Sequence, residues 1–154
     1  VLIACVIGGQ VAMHYPELPE RLASHYDAAG NPNDFMSKTG LVATYAFVAF
    51  LVFGVFASVP VMIRKLPISM INLPNREYWL APERREETTS RVAFLMDVFA
   101  AGTAVLLVSV FEMTFRANEG GSGRLPPPWP LLGAYFTFVA AWLVVFYRKF
   151  PKPS

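Results

Sequence analysis

Four apolar runs, separated by polar segments, set the pattern of this chain. Residues 41–63 hold no charge, and only Thr44, Tyr45 and Ser58 interrupt their apolar character. Residues 92–115 carry Asp97 and Glu112 as their only charges, and residues 131–147 form a shorter run that extends into its flanks. Each is near the ~20 residues that a bilayer-spanning helix requires. Residues 1–13 are apolar but reach only ~20 Å at 1.5 Å per residue, short of the ~30 Å hydrocarbon core. They read as a first span whose start lies upstream. An amphipathic helix of a soluble bundle would keep a polar face, and residues 41–63 have none. The pattern predicts an all-α polytopic membrane protein in a single domain. Its four transmembrane helices lie at about 1–13 (truncated), 41–63, 92–115 and 131–147.

The polar segments orient these spans. Residues 14–40 hold Arg21 and Lys38, and residues 116–130 hold Arg116 and Arg124. Residues 64–91 are richer, with Arg64, Lys65, Arg76, Arg84, Arg85 and Arg91, and the tail holds Arg148, Lys149 and Lys152. Basic loops face the cytoplasm. Residues 64–91 and both termini are therefore expected inside, in a cytoplasmic membrane, and 14–40 and 116–130 outside. A label at Ser122 is then external and one at Thr88 internal. Trp129 and Tyr147 mark the two ends of the last span, as interfacial aromatics do.

Composition agrees. Apolar types make up 55% of the 154 residues and charged types 16%, below the ~25% charge of soluble domains. A net charge of +2 argues against a nucleic-acid partner. The lipid bilayer is the implied partner. Cys5 is the only cysteine, which excludes a disulfide framework or a cysteine zinc site and predicts a packed thiol.

Two segments carry candidate chemistry. In the outer one, Pro19 and Glu20 suit a first helical turn, and Leu18, Leu22, Tyr26 and Ala29 recur at helical spacing. The spacing predicts a short helical cap over 18–29, closed by Gly30 and followed by a GNPND turn. Ser37 is placed to cap the second span. His25 is expected to bond this turn, Asp34 to accept from its backbone, and Lys38 to reach Asp34 or the headgroups. His14, His25, Asp27 and Asp34 are ligand types for a metal, but their spacing matches no ligand motif. No metal, cofactor or catalytic site is assigned, and the protein is read as non-enzymatic.

The inner segment, 64–91, is broken by Pro67, Pro74 and Pro82, and Pro82 can open the helix leading into the third span. Asn72, Asn75, Tyr78 and Trp79 are unusual in a connector and mark a cytoplasmic docking surface. Within the third span, Glu112 and Arg116 have the spacing of a helical ion pair, and Asp97 is expected to meet Arg64 or Lys65.

The stretch PELPERLASHYDAAGNPNDFMSKTG, with Leu18, Pro19, His25, Gly30, Asp34 and Lys38 in order, resembles the membrane-domain family at the N-terminus of SdpI-type toxin-immunity and signalling proteins. The stretch NLPNREYWLAPERREET is similar to members of the same group, so the resemblance covers roughly the first 90 residues. It implies a protein that protects against a secreted toxin or holds a transcriptional repressor at the membrane. It makes His25, Gly30, Asp34 and Lys38 the cap or ligand-contact positions. On this reading a ligand meets the outer cap and a membrane-protein partner meets the inner loop. The alternative is an accessory structural subunit of a larger membrane complex, with Ala101, Gly102, Gly133 and Ala134 permitting close helix contact. A transporter or enzyme would need several polar groups converging within the spans.

Overall fold

The computed structural model describes residues 2–120 and 123–152. Ser122, in the 116–130 loop, lies outside the described residues. The chain opens with α1, Leu2–His14, and continues through a hairpin of β1, Arg21–Tyr26, and β2, Pro32–Ser37. Then come α2, Lys38–Lys65, a single turn α3, Arg76–Trp79, the long α4, Arg85–Glu119, and α5, Trp129–Lys149.

Among the described residues, α2, α4 and α5 are long and apolar enough to cross a membrane, with 28, 35 and 21 residues. This is the helix content of a multi-pass membrane protein. The α1 helix has 13 residues and falls short of that length. Its side chains show what solvent the chain is built for. Gln10 and His14, four residues apart, are its buried residues, while Leu2, Val6 and Met13 are exposed. Polar groups inward and apolar groups outward is the reverse of a helix in water. Phe47, Phe50 and Val55 on α2 and Phe136 and Val144 on α5 are likewise exposed. Cys5 is exposed on α1, so it is not the packed thiol expected.

The chain divides into two compact units, residues 1–50 with 103–134, and residues 51–102 with 135–154. The first is centred on Leu18, Leu22, Leu41, Tyr45 and Phe115. Tyr45 stacks on Phe111 with ring centroids 3.8 Å apart. The second is centred on Ile63, Leu80, Val92, Leu95 and Phe150. There Gly102 gives room to Phe138, whose ring would overlap any Cβ at that position.

Residues 18–37 do not form the predicted helix over 18–29. They contain an antiparallel hairpin pairing Arg21 with Ser37, Leu22 with Met36, Ala23 with Phe35, and Tyr26 with Pro32. Leu22 and Ala23 are adjacent and both buried, Leu22 in the apolar core of the unit and Ala23 beside Asn118. Helical spacing signals the buried Leu18 and Leu22, but the chain reaches Leu22 as a strand, with 32–37 supplying the backbone partners. Gly30 is the turn residue, at φ +80°, a conformation that glycine adopts without a Cβ penalty. Ser37 does cap α2, its Oγ accepting from the Gly40 amide at 3.0 Å. The α4 helix begins at Arg85, three residues after Pro82, because residues 82–84 form a turn.

Candidate functional site

The hairpin is braced at Ala23 and at its turn. Asn118, near the end of α4, accepts from the Ala23 amide at 2.7 Å and donates to the Ala23 carbonyl at 3.0 Å. Its amide also reaches the Tyr26 hydroxyl at 3.1 Å. One side chain therefore completes the backbone bonding of Ala23 where the pairing is irregular. Burial pushes the Tyr26 phenol up from its ordinary pKa, and the Asn118 bond works against that shift. At the tip, Asp27 accepts from the amides of Ala29 and Asn31, both at 2.9 Å. These bonds hold its carboxyl below the usual range, with the Asn31 side chain the largest contribution. The Leu125 amide donates to the Gly30 carbonyl at 2.9 Å.

The exposed charged and aromatic groups lie on both sides of the hairpin, since the adjacent Asp34 and Phe35 point to opposite faces of β2. His25 Nδ1 lies 3.6 Å from Asp34 Oδ2, with both side chains about two-thirds exposed at 66% and 69%. Phe35 is exposed, and the Arg21 guanidinium stands 5.4 Å from the centre of its ring. The structure corrects the expected bonding of these residues. The turn is tied by Asp27, not by His25 or Asp34, because Asp27 lies at its start. Asp34 accepts from the neighbouring Phe35 amide at 2.8 Å. Lys38 pairs with Glu20 at 2.9 Å and not with Asp34, since it follows the strand end where the Lys38 amide also bonds Glu20.

A polar cluster that the sequence reading passed over lies in the same unit. His14 Nδ1 sits 2.7 Å from Glu119 Oε1, and Nε2 sits 2.9 Å from Glu112 Oε2. Gln10 donates to Glu112 at 2.9 Å and accepts from the Tyr45 hydroxyl at 2.8 Å. Arg116 closes the cluster on Glu112 at 2.6 Å, the helical pair expected from the spacing. The His14 ring stacks on Phe115, 5.1 Å between centroids. The signal was present in the sequence. Gln10 and His14 are four apart, and Glu112 and Glu119 seven apart, so each pair shares a helix face. The cluster leaves no buried side-chain polar atom unbonded among the described residues.

Residues 1–52 match the family model described as Domain of unknown function (DUF1648). Neither the curated proteins nor the solved structures give a match. The DUF1648 segment contributes Gln10, His14, the whole hairpin and Tyr45, whereas their partners Glu112, Asn118 and Glu119 lie beyond it. The four candidate metal residues are not brought together. His14 is buried against the two glutamates, and His25 and Asp34 are exposed on the hairpin. No group of three or more potential ligands is positioned for a metal among the described residues.

Within residues 64–91 the four singled-out residues have two overlapping roles. Asn75, at φ +51°, donates to the Phe150 carbonyl at 3.2 Å. Trp79 donates to the Pro151 carbonyl at 3.2 Å and accepts at its own carbonyl from Thr88 at 2.7 Å. These two hold the chain's last turn. Asn72, Asn75 and Tyr78 line an open pocket with Arg76 and Lys152, and Arg84 covers the Tyr78 ring at 4.0 Å. Arg85 donates to the carbonyls of Ile63 and Leu66, which caps the end of α2. Arg64 pairs with Glu86 at 2.8 Å, not with Asp97. Asp97 is exposed on α4, two turns or more beyond Glu86 on that helix.

Proposed function

We propose that this protein is a non-enzymatic binding protein of the cytoplasmic membrane, of the immunity or signalling kind. Both termini are cytoplasmic, the hairpin meets a ligand outside, and residues 64–91 meet a protein inside. The observation that carries this reading is a hairpin whose backbone is tied down at Ala23 and Gly30 while its charged and aromatic side chains stay exposed. A strand pair fixed by Asn118 and Leu125 holds Arg21, His25, Asp34 and Phe35 outward at little ordering cost on binding. Aromatic and arginine groups are the usual anchors of recognition surfaces. A non-enzymatic role fits the His14 cluster in that both ring nitrogens are already engaged.

The test is protection. Cells expressing the chain are challenged with secreted membrane-active peptide toxins, alongside Phe35→Ala and Asp34→Ala variants at equal membrane abundance. Protection by the parent that these variants lose supports the reading. Equal sensitivity of all cells, with the chain extracted in a stoichiometric assembly by mild detergent, would establish the accessory-subunit reading instead. Orientation is checked separately by cysteine labelling in a Cys5→Ser background. Thr88 is buried and unsuited to a label, so exposed Glu83 serves for the inner side and exposed Asn33 for the outer.

A further inference from the structure

The second unit contains two cavities that share a wall. One is an apolar groove of about 640 Å³ with Val59, Met62, Met96, Trp142 and Phe146 in its lining. The other is an open pocket of about 570 Å³ in which the charged Arg76, Glu77 and Lys152 stand beside Asn75 and Tyr78. Ile71, Asn72 and Leu73 line both. Each volume is in the range of small-molecule sites, about 300–1,000 Å³. An apolar groove beside a pocket that carries Arg76 and Lys152 matches an amphiphile with a long apolar part and an anionic head.

We infer that this pair of cavities is a binding site for a single anionic phospholipid, with an acyl chain in the groove and the headgroup against Arg76 and Lys152. The groove is built by the parts of α2, α4 and α5 next to the polar segment, the level at which an acyl chain meets its headgroup. The Trp142 ring on its wall is fixed by an indole bond to the Leu95 carbonyl at 2.9 Å. The open pocket carries two cations and one carboxylate, Glu77, which lies 3.3 Å from Arg76 Nε. Arg76 also donates to the Ser69 carbonyl at 3.0 Å, so its guanidinium is held in place. Lys152 is exposed and faces the same pocket. The pocket is left with one net positive charge, which suits a monoanionic phosphodiester. The Asn72 amide stands on the shared wall, where the glycerol esters of such a lipid need a donor.

Native mass spectrometry of the full chain tests this, with the protein released from micelles holding equal amounts of phosphatidylglycerol and phosphatidylcholine. The expected result is one tightly retained lipid, with phosphatidylglycerol preferred about fivefold for each basic residue that reaches it. Lys152→Gln should cut the preference by about that factor, and because Lys152 is exposed this change leaves folding intact. Arg76→Gln with Lys152→Gln should abolish the preference, and Val59→Trp, which fills the groove, should lower retention of both lipids. Equal retention of the two lipids by the parent chain overturns the inference. So does a preference that survives the double substitution, or the groove being occupied by a peptide or a second copy of the chain.

Discussion

The Asn118 side chain stands in for a strand, accepting from the Ala23 amide and donating to the Ala23 carbonyl. An amide side chain has the donor and acceptor of a peptide group, so it can pair with a backbone that its neighbouring strand leaves irregular. This ties the hairpin to the end of α4. The hairpin is thereby built on a helix terminus and not on a free loop.

Asn118→Leu should release that tie. The substitution leaves the Ala23 groups unpaired at a buried position, at a cost of about 1–3 kcal/mol. Hydrogen exchange at the Ala23 and Tyr26 amides should accelerate while α5 amides are unchanged. Uniform acceleration across all helices would show that Asn118 supports the whole fold and not the hairpin.

Gly30→Ala tests the turn. The positive φ costs an L residue about 1–2 kcal/mol, and the new methyl would land on the Leu125 carbonyl oxygen. Both penalties are backbone penalties, so the Leu125–Gly30 bond should break. A lower melting temperature is expected, with faster exchange at Leu125. An unchanged melting temperature would mean that the loop shifts at no cost.

Gly102→Val tests close packing within the second unit. The added side chain would overlap the Phe138 ring, and overpacking of this kind costs about 1–3 kcal/mol. Pairing it with Phe138→Ala should recover part of the loss, because the smaller side chain opens the space. Additive losses in the double variant would show that the two residues do not share that space.

What could be read from the sequence follows from which forces act locally. The apolar runs gave α2, α4 and α5 because length and hydropathy alone decide whether a helix suits a bilayer. Ser37 was legible as a cap, and Glu112 with Arg116 as a pair, since both depend on neighbours within one helical turn. The hairpin was not legible. Leu18, Leu22 and Tyr26 have helical spacing, and what overrides it is pairing with residues 32–37 and the bond to Asn118, 95 positions away. The His14 cluster was missed for the same reason, as its members Gln10 and Glu112 are 102 positions apart. Polar residues inside apolar runs were the available clue, because such residues seek one another in a medium that cannot hydrate them.

The His14 cluster makes the first unit sensitive to pH. Ionised carboxylates only accept, and a neutral imidazole donates from one nitrogen only. With Glu119 on Nδ1 and Glu112 on Nε2, both contacts are satisfied by the doubly protonated ring. His14 ends α1, outside the three helices long enough to cross a membrane. Burial pulls its pKa down, but the bonds from Glu119 and Glu112 and their charges outweigh this, so it stands above the ordinary 6.5. A raised pKa means that the folded state holds the proton more tightly than the unfolded chain. The stabilisation is therefore complete below about 6.5, the unfolded value, and is lost as pH rises through the folded value above it. Melting temperature should fall across that window in the parent chain. His14→Phe retains the ring stacking on Phe115 but leaves Glu112 and Glu119 short of a donor. It should be less stable by about 1–3 kcal/mol below the window, and the pH step should flatten. A variant as stable as the parent at low pH, or one that keeps the full step, would locate the proton elsewhere.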